Sequence, residues 1–362
     1  MSFWQTIAQQ KKPFFCLAPM ADVTDVAFRE LLVRYGKPDV FWTEFVSANG
    51  LMSKGREVLA RDLAYTPAQR PIVAQLFSSD PDMMEGAALL CAELGFDGID
   101  INMGCPDRTI EKQGAGAAMI RTPDIAVAVI AAAKRGIERS GKIIPLSVKT
   151  RVGYNNVEID TWIPTLLACD IAALTVHVRT RKELSQVPAD WSRLKRVVAL
   201  RDAIAPQTII IGNGDVTSLA DGKARAQASG ADGVMVGRAL FGNPWFFDER
   251  RAPTATLPRR RARWIRSLPF IGRWFDTRRA APISTTNPIT VTERLTVLRE
   301  HTHLFMKELG DIKSFAIMKK HYKAYCTGFP GAKELRMRLM DAQSTDDVDA
   351  IIADFLLQYS HV

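Results

Sequence analysis

This chain of 362 residues has no run of roughly eighteen consecutive apolar residues, which excludes a membrane-spanning helix. Metal-ligand spacing is missing as well. The five cysteines, Cys16, Cys91, Cys105, Cys169 and Cys326, form no CxxC pair and no cluster with the five histidines, so no metal is expected. An odd number of scattered cysteines excludes a disulfide framework and predicts a reducing, cytoplasmic setting. The opening MSFWQTIAQQKKPFF has no apolar core for a secretory leader and no small-residue cleavage site, and its lysines come too late for a basic leader start. No G-x-G-x-x-G occurs, so no dedicated dinucleotide fold is expected, and a nicotinamide would only visit the site.

Charge of either sign is nearly absent as an excess until one place in the chain. Residues 1–250 hold 29 Lys and Arg against 28 Asp and Glu, and residues 280–362 hold ten of each. Residues 251–279 hold nine Arg against one Asp, so almost the whole net charge of +9 has one address. There Arg259, Arg260, Arg261, Arg263, Arg266 and Arg273 alternate with Trp264, Phe270 and Trp274. Such a segment, running from Arg259 to Arg279, could bind phosphates and stack on bases. It could equally lie on an anionic membrane surface or serve as a solvated linker.

What is present is a repeated strand signal. Eight short β-branched or apolar runs recur: FFCLAP (14–19), VFWTE (40–44), PIVAQLF (71–77), GIDIN (98–102), PLSVKT (145–150), AALTVH (172–177), TIIIGN (208–213) and GVMV (233–236). Between them lie helical stretches such as PDMMEGAALLCAELG and PDIAVAVIAAAKRGIERSG. Continuous apolar strands alternating with helices predict a parallel sheet covered on both faces. Eight units in about 240 residues predict an α/β protein of the (β/α)8 TIM-barrel type, with a doubly wound open sheet as the competitor. Only the barrel would gather the residues ending these runs at one face: Pro19, Met20, Glu44, Gln75, Asn102, Lys149, His177, Asn213 and Arg238. After NPWFFDERR the composition changes. Helical patterns resume near Val291, with Thr292 and Ser344 read as helix starts. The expected organisation is a catalytic barrel over 1–248, an Arg-rich insertion over 249–290 and a smaller all-helical part over 291–362.

Two glycine-bracketed turns, GNGDVTSL (212–219) and GVMVGRALFGNPW (233–245), follow the seventh and eighth strands, the usual phosphate corner of such a barrel. Lys149 at a buried strand end must pair or reach solvent. The amides of Gln75 and Asn102 can read the polar edge of a ring, and His177 can stack on or hydrogen-bond to one.

Six elements then occur in order: LAPMADVTDVAFRELL, INMGCPDRTIEKQGAGAAMI, SVKTRVGY, TVHVRTRKE, IIIGNGDV and GADGVMVGRALFGNPWFF. Together they resemble the tRNA-dihydrouridine synthases over about residues 14–248, and more loosely through MKKHYKAYCTGFPGAKELRMRL. The resemblance implies an oxidoreductase that binds FMN at the barrel mouth, draws on NADPH or NADH, and reduces the C5–C6 double bond of selected uridines in tRNA. By the same resemblance a hydride reaches C6 from the reduced flavin, and Cys105 is the acid that protonates C5 from the opposite face. A Gly-Cys-Pro turn would give that thiol both reach and stiffness, and it should stay protonated. The resemblance further implies that Pro19, Met20 and Ala21 lie along the flavin ring and that Gln75 and Lys149 meet its polar edge. His177 would sit beside ring and phosphate. Asn213, Gly214, Asp215, Gly237 and Arg238 would grip the phosphate tail, with Asn102 and Arg179 on the substrate side. Val178 stands where many members have Gly, and HVRTRKELSQVPADW lacks the usual Tyr and Gly before ADW, so the target uridine stays open. Lys319, Lys320, Lys323, Arg336 and Arg338 are candidate tRNA contacts on the C-terminal helices. An FMN barrel acting on a small pyrimidine such as dihydroorotate, or an RNA-binding barrel without catalysis, are the alternatives.

Overall fold

The computed structural model describes residues 2–251 and 288–359; the Arg-rich stretch from Arg259 to Arg279 lies outside them. Eight parallel strands form one sheet: β1 (Phe14–Leu17), β2 (Phe41–Ser47), β3 (Ile72–Phe77), β4 (Gly98–Met103), β5 (Leu146–Arg151), β6 (Ala173–His177), β7 (Ile209–Asn213) and β8 (Gly233–Val236). From β2 to β8 each strand pairs with the next in sequence, and β1 pairs with β8, which wraps the sheet round on itself. The seam between β1 and β2 is closed by a Cys16–Val40 bridge and by the Leu17 N–H donating to the Val40 carbonyl at 3.0 Å. The predicted eight runs and the observed strands agree to within two residues at each end, except that β2 continues to Ser47 rather than stopping at Glu44.

The two-residue period of a strand explains how barrel and site share one sequence. Phe14, Cys16 and Ala18 belong to an inner cluster with Trp42, Val73, Ile209, Ile211 and Met235, all at most 8% exposed. The alternate residues, such as Phe15 and Leu17, pack outward against the surrounding helices. The short N-terminal helix α1 (Phe3–Gln10) is fastened by a Ser2/Gln5 capping box and plugs the barrel floor with the fully buried Trp4, whose ring lies 5.3 Å from Trp42. The outer ring includes α2 (Val26–Tyr35), α3 (Pro81–Glu93), α4 (Pro123–Arg139), α5 (Ile159–Leu167), α6 (Arg193–Ile204) and α7 (Leu219–Ser229).

After residue 288 come α8 (Val291–Leu309), α9 (Met318–Tyr325), α10 (Ala332–Asp341) and α11 (Thr345–Tyr359). The start of α8 corrects the expected cap. Thr290, not Thr292, accepts from the Glu293 N–H, and Glu293 reaches back to the Thr290 N–H. The T-x-x-E box therefore begins two residues earlier. Ser344 caps α11 as expected, accepting from the Asp347 N–H at 3.1 Å. Helix α8 lies on α2, and Arg34 and Tyr35 of α2 both bind Glu300. Among the described residues, no helix is long and apolar enough to cross a membrane.

Candidate active site

Two cavities stand at opposite ends of the barrel. The larger, about 960 Å3, opens at the strand starts among Lys134, Lys142, Ile143 and Gln207. The other, about 440 Å3, lies at the C-terminal ends and holds the chemistry-bearing side chains. Its walls continue the inner set of the barrel: Ala18 after β1, Lys149 and Arg151 of β5, His177 of β6, Asn213 of β7 and Met235 of β8. Strand register aligns them, Arg151 with His177, His177 with Asn213 and Asn213 with Met235. The same alternation that fills the core lower down thus turns polar at the mouth.

The thiol loop after β4 is fixed by four hydrogen bonds with three residues. Asn102 Oδ1 accepts from the N–H groups of Gly104 and Cys105 at 3.1 and 2.9 Å. Arg151 Nε donates to the Gly104 carbonyl at 2.7 Å, and the Ala117 N–H donates to the Cys105 carbonyl at 2.9 Å. Asn102 is itself held by Gln75 at 3.0 Å, and Gln75 by the buried Asp100 at 2.6 Å. The Gly-Ala-Gly cluster that follows serves this loop. Gly116 has φ of +62°, and a Cβ there would sit 2.7 Å from the Cys105 carbonyl oxygen. Cys105 is half-buried, and its neighbour Pro106 forms part of the cavity wall. Burial raises the Cys105 thiol above its ordinary value, although Lys149 and Arg151 pull the other way. The group is therefore a thiol at neutral pH and can donate a proton.

The cavity wall carries three cations, Lys149, Arg151 and Arg238, against one carboxylate, Asp215. Burial, helped by Arg151, lowers Lys149 to about 8, and its nearest fixed partner is the neutral Asn213 Oδ1 at 3.3 Å. Burial and the surrounding cations drive His177 well below its usual range, so the imidazole is neutral. Asp215, in the left-handed region at φ +52°, is taken by Arg179 and Arg238 and by the Ala189 N–H at 3.0 Å. Burial works against that carboxylate, but these donors leave it below its ordinary value. A positive, partly desolvated cavity at the tips of β7 and β8 fits a phosphate-bearing anionic ring cofactor.

Of the expected residues, Pro19, Met20, Lys149, His177, Asn213, Gly214, Asp215, Gly237 and Arg238 all line this cavity. Five expected residues stand outside this wall, Cys105 among them, whose neighbour Pro106 lines the cavity instead. Ala21 is exposed on the turn after β1. Gln75 is fully buried one layer below. Asn102, 5% exposed, is spent on the Cys105 loop. Arg179, 1% exposed, binds Asp215, the Val187 carbonyl at 2.7 Å and the His177 ring at 3.2 Å, so it braces the site from within. Arg151, Leu184 and Ser185 were not expected in the wall. Arg151 follows Lys149 by the two-residue period and could have been found that way. Leu184 and Ser185 come from the atypical loop after β6, where Leu184 adopts φ +49°. On the C-terminal helices, Lys320 pairs with Asp22 and Arg338 with Asp354, so these two are engaged within the protein.

The profile of the dihydrouridine synthase (Dus) family matches residues 16–359. A probable tRNA-dihydrouridine synthase of Staphylococcus aureus (strain MRSA252) is 35% identical over 360 residues, covering 99% of this chain and 96% of that protein. The probable tRNA-dihydrouridine synthase 2 of Bacillus subtilis (strain 168) is 35% identical over 363 residues, covering 99% and 98%. Among solved structures, a 2-naphthoyl-CoA reductase in complex with 2-naphthoyl-CoA superposes with a TM-score of 0.50 at 10% identity, over 65% of this chain and 49% of that one. That likeness concerns the fold alone.

Proposed function

Because the chain belongs to the dihydrouridine synthase family, we infer that it is a tRNA-dihydrouridine synthase, reducing the C5–C6 double bond of uridine in tRNA. The observation that carries the reading to this site is the half-buried thiol of Cys105 on a loop braced by Asn102, Arg151 and Ala117, beside a cation-lined cavity at the strand tips. FMN is the cofactor we assign to that cavity, with NADPH or NADH as its reductant, and when bound it supplies the hydride for C6 of the uracil. Lys149 and Arg151 would meet the ring and its negative charge. The turns at 213–215 and 237–238, with Arg238, would hold the phosphate. Pro19 and Met20 form the wall on the β1 side. Neutral His177 can donate or accept a hydrogen bond without adding charge.

Cys105 gives its proton to C5, and the loop bonds from Asn102, Arg151 and Ala117 keep the sulfur's backbone in place while it does so. Asn102 and Arg179 act as positioning residues. The four C-terminal helices face tRNA, with Lys319, Lys323 and Arg336 as the cations offered to it, and the Arg-rich segment is a further candidate RNA contact. Free cysteines throughout the described residues suit a reducing, cytoplasmic setting.

The test is direct. Purified protein should carry or take up FMN, and should form dihydrouridine in unmodified tRNA but not in free uridine. Cys105→Ala should keep the flavin and lose turnover by roughly two to four orders of magnitude, the usual worth of a positioned acid. A flavin-replete Cys105→Ala enzyme with full activity would remove the thiol from the mechanism. Equal activity on free uridine would move the substrate from tRNA to a small pyrimidine.

A further inference from the structure

The turn joining β1 to α2 faces the cavity on one side and the C-terminal helices on the other. Met20 lines the cavity and packs within 3.3 Å of where a Cβ on Gly237 would stand. Two residues on, Asp22 adopts φ of +52°, a left-handed conformation that needs support when the residue is not glycine. Inside the turn, the Met20 N–H donates to Thr24 Oγ1 at 2.9 Å and the Thr24 N–H to the Met20 carbonyl at 3.0 Å. Neither bond touches Asp22.

Asp22 is held from outside by two handles. Its backbone N–H donates to Glu44 Oε1, and its carboxylate accepts from Lys320 Nζ at 2.9 Å. Glu44 is 4% exposed and sits where the register between β2 and β3 slips after Trp42, an irregularity that re-aims a side chain. Its second oxygen accepts from Lys313 Nζ at 2.9 Å, and Lys313 also lies 2.8 Å from Asp62. Both handles therefore end on cations between the end of α8 and the middle of α9. A buried carboxylate keeps its charge only beside such a partner. Without Lys313 the Glu44 carboxylate would face the buried Asp25 and the half-buried Asp62 with Arg29 as its remaining cation, and burial already pushes Glu44 up to about 7.

We propose that Lys313, through Glu44, and Lys320, directly, are positioning residues that hold Asp22 and thereby set the Met20 wall of the cofactor cavity. The C-terminal helices then belong to the cofactor site as well as to the RNA face. This rests on the reading that the cavity takes FMN.

The experiment uses the full chain with FMN as probe. It measures the dissociation constant of FMN from apoprotein, the visible circular dichroism of the bound flavin, and amide exchange in the peptide covering 18–24. Lys313→Met should weaken FMN binding about tenfold and accelerate exchange at 20–24, and Lys320→Met, whose pair is half exposed, should weaken it about threefold. Lys313→Arg should restore binding to near wild type. The double variant Glu44→Gln/Lys313→Met should also recover much of the loss. Its amide still accepts from the Asp22 N–H and needs no cation. Unchanged FMN affinity and unchanged exchange in Lys313→Met would overturn the proposal. So would a double variant no better than the single one, since the defect would then be one of folding. Wild-type protein that takes up no FMN would sink the flavin reading instead, and the exchange data on apoprotein would still decide the coupling.

Discussion

Lys149 is the residue on which affinity for an anionic ring cofactor should turn. Its ammonium sits in a wall already carrying Arg151 and Arg238, and burial with that repulsion lowers it to about 8. In the empty site it is charged below about pH 8 and neutral above. The ring of reduced FMN is the anion that prefers the charged form, so affinity for reduced FMN should fall as pH rises past 8, by up to about tenfold per unit. Lys149→Met should bind more weakly at pH 7 and lose this dependence, a comparison made by titrating apoprotein with reduced FMN at pH 7, 8 and 9. An affinity in the native chain that does not change between pH 7 and 9 would mean that Lys149 does not meet the ring. At this scale the sequence was readable where residue type and strand position agree. Lys149, His177 and Asn213 each end an apolar run, and each lines the cavity. Asn102 ends a run in the same way, yet its amide turns along the chain to cap the Cys105 loop. Arg179 was legible as a cation near the mouth, but not as one already claimed by Asp215, because that partner lies 36 residues away. Position along a strand says that a side chain reaches the mouth, and says nothing of which neighbour reaches it first.

At the scale of elements, strands were legible because a fully buried parallel strand writes its whole length in apolar residues. The ends that were misplaced are those decided by partners in space. The register slip in β2 carries pairing on to Ser47, beyond the polar Glu44, and the cap of α8 is Thr290 because Glu293, not a later acid, closes the box. No pattern announced the contact of α8 and α9 with α2, where His301 and His321 are both fully buried, 4.4 Å apart, against Phe28. Among the described residues, none gives a hydrogen-bond partner to any of the four ring nitrogens. Burial is the main cause holding both imidazoles neutral, with His321 adding to it at His301 and Lys320 adding to it at His321, which is pushed down to about 3. Their folded values lie below the unfolded value near 6.5, so the stability they permit is fully present above that pH. It is lost as pH falls and the unfolded chain takes up protons. For the pair, the loss should be about 2 kcal/mol between pH 6.5 and 5.5. Urea unfolding at the two pH values would measure it. In His301→Leu/His321→Leu the same interval should cost about 2 kcal/mol less, and an equally steep variant would place the acid sensitivity elsewhere.

At the scale of the whole molecule, the outer layer of the barrel and the C-terminal helices share one apolar core. Leu31 and Leu32 of α2 belong to the same buried cluster as Leu298 and Phe305 of α8, and that cluster runs without a break into Leu339, Ile352 and Phe355 of α10 and α11. Polar fasteners cross the same boundary: Arg34 and Tyr35 to Glu300, Arg61 to Asp311, Lys313 to Glu44. A sequence reading divides the chain at the change of composition near residue 249, but composition does not say whether the helices beyond it close their own core. Helices that share a core cannot expose it one side at a time without losing packing on the other, so barrel and helices should unfold together. The tryptophans offer a way to see this, since residues 291–362 contain none and their fluorescence reports the rest of the chain. Far-ultraviolet circular dichroism reports both parts. In urea the two signals should fall along one curve, and Leu298→Ala, which empties the shared core at 0% exposure, should shift both midpoints together by an amount worth about 2–5 kcal/mol. Loss of helical signal at lower urea than the fluorescence change, with only that first step moved by Leu298→Ala, would mean instead that the C-terminal helices stand as a separate folding unit.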